Sequence, residues 1–340
     1  MKKIKILFIC KKRNDSYGIS YGLVNSCKFI VNALEKCGIE GKIVSVVDNN
    51  CIDSEVHDYK PTHVFIEALW VVPSKFETLL SKYKKIKWYV RIHSKMPFIA
   101  HEGIAIEWLK EYYELTEKHH NFGIASNNMD MVESLKEAFH IHSEYYPNIY
   151  CPPEYHFHGH SDPHHHHQSD VLNIGCFGSI RPMKNQLYQA IAAISFGNEM
   201  DKKIRFHINS NRVEQMGDSP LKNIRSAFVN TQHELIEHEW VNHEDFIKLV
   251  RTMDLGLQVS FSETFNIVSA DFVWNKIPVV GSNEIQWLNC MYKADPNCLK
   301  SIINKLHVAY FGKLINLHNL NLTNLKEYNE HSVKVWLDRL

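Results

Sequence analysis

The chain has 340 residues, with 38 basic and 38 acidic side chains, 44% hydrophobic residues and 11% aromatic residues. This length predicts two domains, and a chain of this size buries enough apolar surface to fold without disulfides or a structural metal. The apolar content excludes a disordered protein, and the formal charge of zero argues against a general binder of polyanions.

The first half of the chain alternates between apolar strands and amphipathic helices. Strands are predicted at residues 4–10, 43–47, 63–68, 88–92, 122–125 and 143–146, and helices at 24–34, 75–83 and 129–139. Continuous apolar strands that alternate with helices are typical of parallel sheets covered on both faces. Residues 1–150 are therefore predicted to form one α/β domain of the doubly wound, Rossmann-like kind.

Residues 151–170 are predicted to be a linker or loop. This segment is rich in proline, has few aliphatic residues and holds seven histidines between His156 and His167. Imidazoles at such density bind zinc or nickel. The run has no cysteine and no ordered ligand spacing, so it is typical of an adventitious binder, and we expect no functional metal site.

A second alternating set begins after this segment. Strands are predicted at residues 173–177, 203–208, 234–239, 255–259 and 278–281, and helices at 186–198, 219–228, 242–253 and 267–275. Residues 171–322 are therefore predicted to form a second Rossmann-like domain with a parallel sheet. Residues 323–340 are predicted to form a separate C-terminal helix.

A polar turn at residues 260–266 joins a buried strand of the second domain to a helix. Glu263 is predicted at the start of this helix, and Asp271 two turns later on roughly the same face. A helix N-terminus at the carboxyl end of a parallel strand favours anions through its free N–H groups. The alternative interpretation is an exposed loop with ordinary surface acids.

This stretch resembles the acid-x7-acid signature of glycosyltransferase family 4, whose members are retaining, use nucleotide-sugars and have the GT-B fold. Residues 263–266 stand for Glu-Gly-Phe-Gly, with Thr264 and Asn266 replacing the glycines, and Asp271 stands for the second Glu. The resemblance implies that Glu263 contacts the donor sugar and Asp271 the nucleotide ribose. It also implies that the backbone amides of Phe265, Asn266 and Ile267 hold the sugar and phosphate.

A second match follows the first strand of the second domain, from Gly178 onward. In the family this position carries an Arg and a Lys that hold the leaving diphosphate; Lys184 matches the Lys, and Ser179 occupies the Arg position. Arg181 is therefore a substitute candidate. Cleavage of the glycosidic bond places charge on the β-phosphate, so preorganised cations there stabilise the transition state more than the ground state. The alternative is a turn with two solvated cations.

The first domain offers weaker matches. Gly22, with Gly18 nearby, lies where the family has a Gly-Gly loop close to phosphate or acceptor, and we predict that Gly22 contributes to donor binding. His93 follows a buried strand, where family members often carry a histidine near the reacting centre. Tyr17, Tyr21 and Arg91 are predicted on the acceptor side.

The resemblance implies a GT-B enzyme whose two doubly wound domains, with parallel sheets, enclose a cleft, and whose last helix crosses back to the first domain. We predict a retaining glycosyltransferase with a nucleotide-sugar donor and no obligatory metal or other cofactor. The chain also looks like glycosyltransferases encoded by bacteriophages, which implies an acceptor among saccharides, lipids, proteins and modified DNA bases. Four alternatives remain: a module that binds nucleotide-sugars without turnover, a DNA-base-modifying transferase, an epimerase and a phosphorylase.

The compartment follows from the cysteines and the N-terminus. The eight cysteines are scattered with no C-x-x-C pair, which indicates reduced, mostly buried thiols. The apolar run at residues 4–10 is too short for a signal peptide or a membrane span. We therefore expect a cytoplasmic protein, in the host cytoplasm if it is phage-encoded, without stable membrane insertion.

Overall fold

The structure of the protein, a computed structural model, describes residues 3–12, 21–155 and 170–340. The chain divides into two compact units, of which the first comprises Met1–Pro153 with Tyr328–Leu340 and the second comprises Glu154–Glu327. In the described residues, each unit is built on one six-stranded parallel sheet. The predicted fold class, α/β with two parallel sheets, is confirmed.

The sheet of the first unit has the strand order β2-β1-β3-β4-β5-β6. Its strands are β1 (Lys5–Lys11), β2 (Glu40–Val46), β3 (His63–Glu67), β4 (Lys87–Ile92), β5 (Phe122–Ser126) and β6 (Glu144–Tyr145). All five residues of β3 are buried, as expected for a central parallel strand covered on both faces. The chain turns to the other side of β1 after β2, so the switch point of this doubly wound sheet lies between β1 and β3.

Helices cover both faces of this sheet. They are α1 (Tyr21–Glu35), α2 (Ile52–Tyr59), α3 (Pro73–Lys82), α4 (Met96–Ile99), α5 (Ala105–Lys118) and α6 (Met129–Phe139). Proline at the first position favours the start of α3, and the Asn128 side chain caps α6 by accepting a hydrogen bond from the Met131 N–H. The helices α2, α4 and α5 were not predicted from the sequence.

One face of the first sheet, the face that carries Phe8 and Phe65, also packs against the end of the chain. Trp336 is fully buried, and its ring centroid lies 5.0 Å from that of Phe65 and 5.9 Å from that of Phe8. The Trp336 indole N–H donates to the carbonyl of Pro147 at 2.8 Å, which satisfies its polar group. The C-terminal residues are thus part of the core of the first unit.

The sheet of the second unit has the order β12-β11-β10-β7-β8-β9. Its strands are β7 (Val171–Gly175), β8 (Lys203–Asn209), β9 (Glu234–His238), β10 (Leu255–Gln258), β11 (Val279–Ser282) and β12 (Lys293–Ala294). The helices of this unit are α7 (Gln186–Glu199), α8 (Asp218–Phe228), α9 (His243–Val250), α10 (Ile267–Trp274) and α11 (Leu299–Leu314). Helix α12 (Asn319–Arg339) begins in this unit, and its residues from Tyr328 onward belong to the first. The switch point lies between β7 and β10, and loops at the carboxyl ends of these two strands border it.

Two predicted helices in the second half of the chain differ from the prediction by three or more residues at one end. Helix α9 ends at Val250 rather than at 253, and Asn242 caps its start by accepting a hydrogen bond from the Asp245 N–H. Helix α12 begins at Asn319, four residues before the predicted start at 323. Neither difference moves a strand that borders a switch point.

Candidate active site

The loop that follows β7 holds the first set of candidate residues. Gly178 has φ +120°, a conformation that a residue with a side chain rarely adopts, and its N–H donates to Asn209 Oδ1 at 3.1 Å. A short 3₁₀ turn, Pro182–Lys184, then leads to Asn185, which has a left-handed backbone with φ 56°. These two special residues fix the loop, so Ser179, Arg181 and Lys184 stand at the switch point of the second sheet.

Lys184 forms a close ion pair with Glu263 across the switch point, because one residue follows β7 and the other follows β10. The Lys184 side chain is 13% exposed and that of Glu263 is 9% exposed, so water screens the pair little. Burial by itself raises the pKa of Glu263, but Lys184 and Arg181 outweigh burial and hold that pKa below its usual value. Glu263 is therefore ionised at neutral pH.

Arg181, on the same loop as Lys184, belongs to a second charged group whose other members follow β8. Its Nη1 lies 3.5 Å from Glu214 Oε2, and Glu214 Oε1 also pairs with Arg212 Nη2 at 2.7 Å. Burial raises the pKa of Glu214, but Arg212 outweighs it with help from Arg181 and a hydrogen bond from Ser179, so the pKa is lowered. The Arg212 guanidinium in turn lies 4.5 Å from the centre of the Trp240 ring.

These two groups bring three cations, Arg181, Lys184 and Arg212, close to two carboxylates, Glu214 and Glu263. Among these five side chains, the cations outnumber the carboxylates by one. Arginine and lysine side chains held in such positions are typical ligands of phosphate and carboxylate groups.

The loop after β10 contains the predicted acid motif. Asn266 has a left-handed backbone with φ 61°, and its side chain caps α10 by accepting a hydrogen bond from the Ser269 N–H at 2.8 Å. Asparagine is the residue that tolerates this conformation best after glycine, so Asn266 preserves the turn for which the family uses glycine. Phe265 is buried and accepts a hydrogen bond from Trp287 Nε1 at 2.8 Å through its carbonyl, whereas Thr264 and Ile267 are half-buried.

One expectation for this motif is wrong. Helix α10 begins at Ile267, so Glu263 lies in the preceding loop and shares no helix face with Asp271. The cause is local, because the helix cannot start before Asn266, whose left-handed backbone interrupts it. Glu263 turns instead toward Lys184.

Asp271 lies in a different group from Glu263. It is buried on α10, and its Oδ1 accepts a hydrogen bond from His243 Nε2 at 2.8 Å. His243 Nδ1 lies 2.8 Å from the hydroxyl of Tyr155. The carboxylate that the resemblance assigns to the nucleotide ribose is therefore covered by a histidine at the start of α9.

In the first unit, candidate residues meet at the carboxyl ends of β3 and β4. Glu67 and Arg91 are paired in register on these strands, and their side chains are fully buried and joined at 3.0 Å between Glu67 Oε2 and Arg91 Nη1. His93, two residues after Arg91 and hence on the same face, forms a close contact with Glu67 Oε2 through Nε2. The His93 side chain is 15% exposed, so it alone of the three reaches the surface.

The prediction for Arg91 needs correction. Arg91 donates from Nε to the carbonyl of Tyr146 at 2.9 Å and from Nη2 to Asn148 Oδ1, in addition to its pair with Glu67. A guanidinium that is fully buried and held at three points has no route to an acceptor molecule. Arg91 is part of the support beneath His93.

The other first-unit predictions concern the loop after β1. Tyr17 and Gly18 lie outside the described residues. Tyr21 is the first residue of α1, and Gly22 is its second residue and is exposed. A Cβ added to Gly22 would have no atom of the described protein within 4 Å. No neighbouring group in the described part of the chain therefore requires glycine at this position.

Sequence reasoning missed several residues that the structure places at these sites. Glu67, Asn148, Glu214, Arg212, His243 and Tyr155 were not singled out. Glu67 carried a usable signal, because an acid that ends an apolar strand next to a predicted strand carrying Arg91 indicates a buried ion pair. The pairing of Tyr155 with His243 joins residues 88 positions apart and has no local signal.

Within 3–12, 21–155 and 170–340, no group of three or more His, Cys, Asp or Glu side chains has the geometry of a metal site, and the histidine run 156–167 lies outside these ranges. All eight cysteines are free thiols, but only Cys10, Cys27 and Cys176 are buried, so the expectation of mostly buried thiols is wrong. None of the described helices is both long and apolar enough to cross a membrane.

No family model and no curated protein matches the chain. Solved structures do match it over almost its whole length. Sucrose-phosphate synthase from Thermosynechococcus elongatus has a TM-score of 0.69 at 10% identity, covering 99% of this chain and 98% of that chain. The trehalose-6-phosphate protein from E. coli bound with UDP-2-fluoro glucose has a TM-score of 0.62 at 11% identity, covering 98% of both chains.

A third match is a trehalose-6-phosphate synthase studied with bisubstrate glycomimetics for glycosyl transfer with retention. It has a TM-score of 0.57 at 12% identity and covers 96% of this chain and 84% of that chain. At these identities the likeness establishes the fold and leaves the activity open. The chain has the GT-B fold, with two Rossmann-like domains, as its sequence predicted.

Proposed function

We propose that the protein is a retaining glycosyltransferase that transfers a sugar from a nucleotide-sugar to an acceptor. The observation that carries this proposal is the ion pair of Lys184 with Glu263 at the switch point between β7 and β10. Ligands of doubly wound sheets bind in the crevice at this place. A cation and a carboxylate held there side by side suit the two halves of a nucleotide-sugar, the diphosphate and the sugar hydroxyls.

Lys184 and Arg181 take the role of diphosphate ligands in this proposal. Breaking the bond between the sugar and the β-phosphate oxygen leaves negative charge on that phosphate, and fixed cations stabilise this charge as it develops. When the diphosphate displaces Glu263 from Lys184, the carboxylate becomes available to accept hydrogen bonds from sugar hydroxyls. Glu263 is ionised before the donor arrives, because its pKa is already lowered.

The start of α10 adds a second contact for the phosphates. Phe265, Asn266 and Ile267 precede or begin this helix, and the free N–H groups of a first helical turn favour anions. Asp271 is proposed to act on the nucleotide ribose through His243, which covers it. Because lysine and arginine supply positive charge at the diphosphate, the reaction is proposed to need no resident metal.

The acceptor is proposed to bind at the carboxyl edge of the first sheet, where His93 reaches the surface. Retention is supported by the acid-x7-acid resemblance and by the likeness to a protein studied for transfer with retention. The donor class is supported by the likeness to a protein bound with UDP-2-fluoro glucose.

A thermal-shift panel of UDP-, GDP-, ADP-, CMP- and dTDP-sugars tests donor binding, because a ligand of the folded state raises the melting temperature. One nucleotide class is expected to raise the melting temperature of the wild type, and less so that of Lys184→Ala. Lys222→Ala is the control, since Lys222 is an exposed lysine on α8. A panel without any shift would overturn the proposal.

Turnover of the winning donor separates an enzyme from a binding module. The expected result is release of sugar to water or to an acceptor, slowed roughly 10²- to 10³-fold by Lys184→Ala and unaffected by EDTA. Proton NMR of the first product reports the anomeric configuration, which is expected to match that of the donor. Binding without any turnover would favour the binding module.

A further inference from the structure

The protonation pattern of His93 follows from its hydrogen-bond neighbours. Arg91 carries only donors, so the atom of Asn148 that receives Arg91 Nη2 is the carbonyl oxygen Oδ1. Asn127 faces the same oxygen at 3.5 Å, and the atom it presents is therefore its amide nitrogen Nδ2. That nitrogen also lies 3.4 Å from His93 Nδ1. A donor facing Nδ1 makes Nδ1 the acceptor of the imidazole.

The other ring nitrogen carries the proton for an independent reason. Nε2 is in close contact with the carboxylate oxygen of Glu67, and two lone pairs facing each other at that contact would repel. Arg91 Nη1 also lies near Nε2, at 3.4 Å, but its shorter contact of 3.0 Å is with Glu67. Burial raises the pKa of Glu67, whereas the charge of Arg91 and the hydrogen bonds from His93 and Arg91 outweigh it and lower that pKa, so the carboxylate is ionised and accepts the proton of Nε2.

The imidazole is also neutral. Burial lowers the pKa of His93, and it outweighs the opposite influence of Glu67. Each neighbour is itself fixed, since Arg91 is tied to the carbonyl of Tyr146 and to Asn148. A fully buried ion pair contributes little to stability compared with apolar side chains of the same size, so its stable position beneath a surface histidine points to a role in orienting that histidine.

We infer that Glu67 and Asn127 are positioning residues that hold His93 with its proton on Nε2, so that Nδ1 accepts a hydrogen bond from a hydroxyl of the sugar substrate. This inference rests on the proposed function and adds to it the direction of the hydrogen bond. A substrate hydroxyl replaces the long contact with Asn127. A sugar with a hydroxyl group opposite Nδ1 is therefore expected to bind more tightly than its fluoro or deoxy analogue at that position.

The tautomer is measured directly on the wild-type protein. Long-range proton–nitrogen correlation NMR of ¹⁵N-histidine-labelled protein distinguishes protonated from unprotonated ring nitrogens, and His93→Gln identifies the signals of His93 among the 22 histidines. The expected spectrum has a protonated Nε2 and an unprotonated Nδ1. A protonated Nδ1, or rapid exchange between the two forms, would overturn the inference.

A matched pair of variants tests the link to the substrate. Asn127→Asp places a carboxylate against Nδ1 while the Glu67 carboxylate still faces Nε2. It is expected to add a proton to Nδ1 and to make the ring a doubly protonated imidazolium, with kcat/KM falling roughly 10- to 100-fold because the acceptor at Nδ1 becomes a donor that faces the substrate's hydroxyl donor. Asn128→Asp adds the same charge one residue away, where aspartate still caps α6, and is expected to change kcat/KM less than about twofold. Circular dichroism confirms that both variants are folded.

The outcomes separate this inference from the proposed function. A protonated Nδ1 in Asn127→Asp with unchanged kcat/KM would show that Nδ1 accepts no hydrogen bond from the substrate, and it would overturn the inference while leaving glycosyl transfer intact. A wild type without any transfer would defeat the proposed function, whereas the NMR spectrum would still decide the tautomer of His93.

Discussion

The two sheets of this protein use charge in opposite ways at equivalent edges. At the carboxyl edge of the first sheet, Glu67 and Arg91 are fully buried and every donor nitrogen of Arg91 is occupied. At the switch point of the second sheet, Lys184 and Glu263 retain some exposure and lie on loops. Fully buried charges can only hold their neighbours, whereas charges on loops that keep some exposure can exchange partners with a ligand.

The comparison gives each region its own measurable signature. Substitutions of Glu67 or Arg91 should change the stability of the protein and the geometry of His93. Substitutions of Lys184 or Glu263 should change ligand binding and rate more than stability.

The largest effect is expected from Arg91→Met. This change leaves the Glu67 carboxylate buried without its guanidinium, and we expect the free energy of unfolding to fall by about 3–5 kcal/mol. Chemical denaturation at neutral pH measures it. Arg225→Met is the control, because the pair of Arg225 with Glu237 has side chains that are 55% and 30% exposed and should contribute at most about 1 kcal/mol. Equal losses of unfolding free energy in Arg91→Met and Arg225→Met would contradict the distinction between a buried and an exposed ion pair.

The next largest effect is on rate. Lys184→Ala is expected to lower kcat/KM for the donor by roughly 10²- to 10³-fold, the loss that follows removal of one preorganised charge-stabilising group. Steady-state kinetics with the best donor measures it beside Lys222→Ala, whose exposed lysine should have no effect. A reduction of less than about threefold would remove Lys184 from the diphosphate site.

Asn266 offers a smaller effect that tests the backbone of the second site. Asn266→Ala loses the helix cap and places a less tolerant residue at φ 61°, so the free energy of unfolding should fall by about 1–2 kcal/mol. In Asn266→Gly, the loss of the cap should lower the free energy of unfolding by only a few tenths of a kcal/mol, since glycine adopts this conformation readily. Both variants lose the hydrogen bond to Gln258, so their difference reports the backbone alone. If alanine proved as stable as glycine, the left-handed backbone would have no role.

The smallest effect is a pH dependence of Glu263. Its pKa is lower in the folded than in the unfolded protein, so its contribution to stability is present above the unfolded pKa and is lost as the pH falls through the folded value. The stability difference between wild type and Glu263→Gln should therefore shrink below about pH 4.5. Thermal melting from pH 7 to pH 3 measures it. A difference that grows in acid would show that Glu263 is not held ionised by Lys184.

The fold was accessible from sequence because buried parallel strands are nearly continuous apolar runs. β3 was predicted at 63–68 and found at His63–Glu67, and α6 was found at the predicted bounds. Helix α5 was missed because its apolar residues, Leu109, Tyr112 and Leu115, are spread among many charged ones. Its burial depends on packing against α3 and the sheet rather than on its own composition.

The candidate site residues also divide into those with a local sequence signal and those that only tertiary packing brings together. Lys184 and Glu263 could be proposed from the sequence because each lies in a local motif that follows an apolar strand. His243, which covers Asp271, is joined to it only by the packing of α9 on α10. Arg91 was misassigned because its sequence position shows a strand end but not the register with β3 that buries it beside Glu67.

A crystal structure of the protein with its tightest-binding nucleoside diphosphate tests the central claim most directly. We predict that the diphosphate lies within hydrogen-bond distance of Lys184 Nζ and the first turn of α10, and that Glu263 has separated from Lys184. A nucleotide bound elsewhere, with the ion pair of Lys184 and Glu263 intact, would contradict the account.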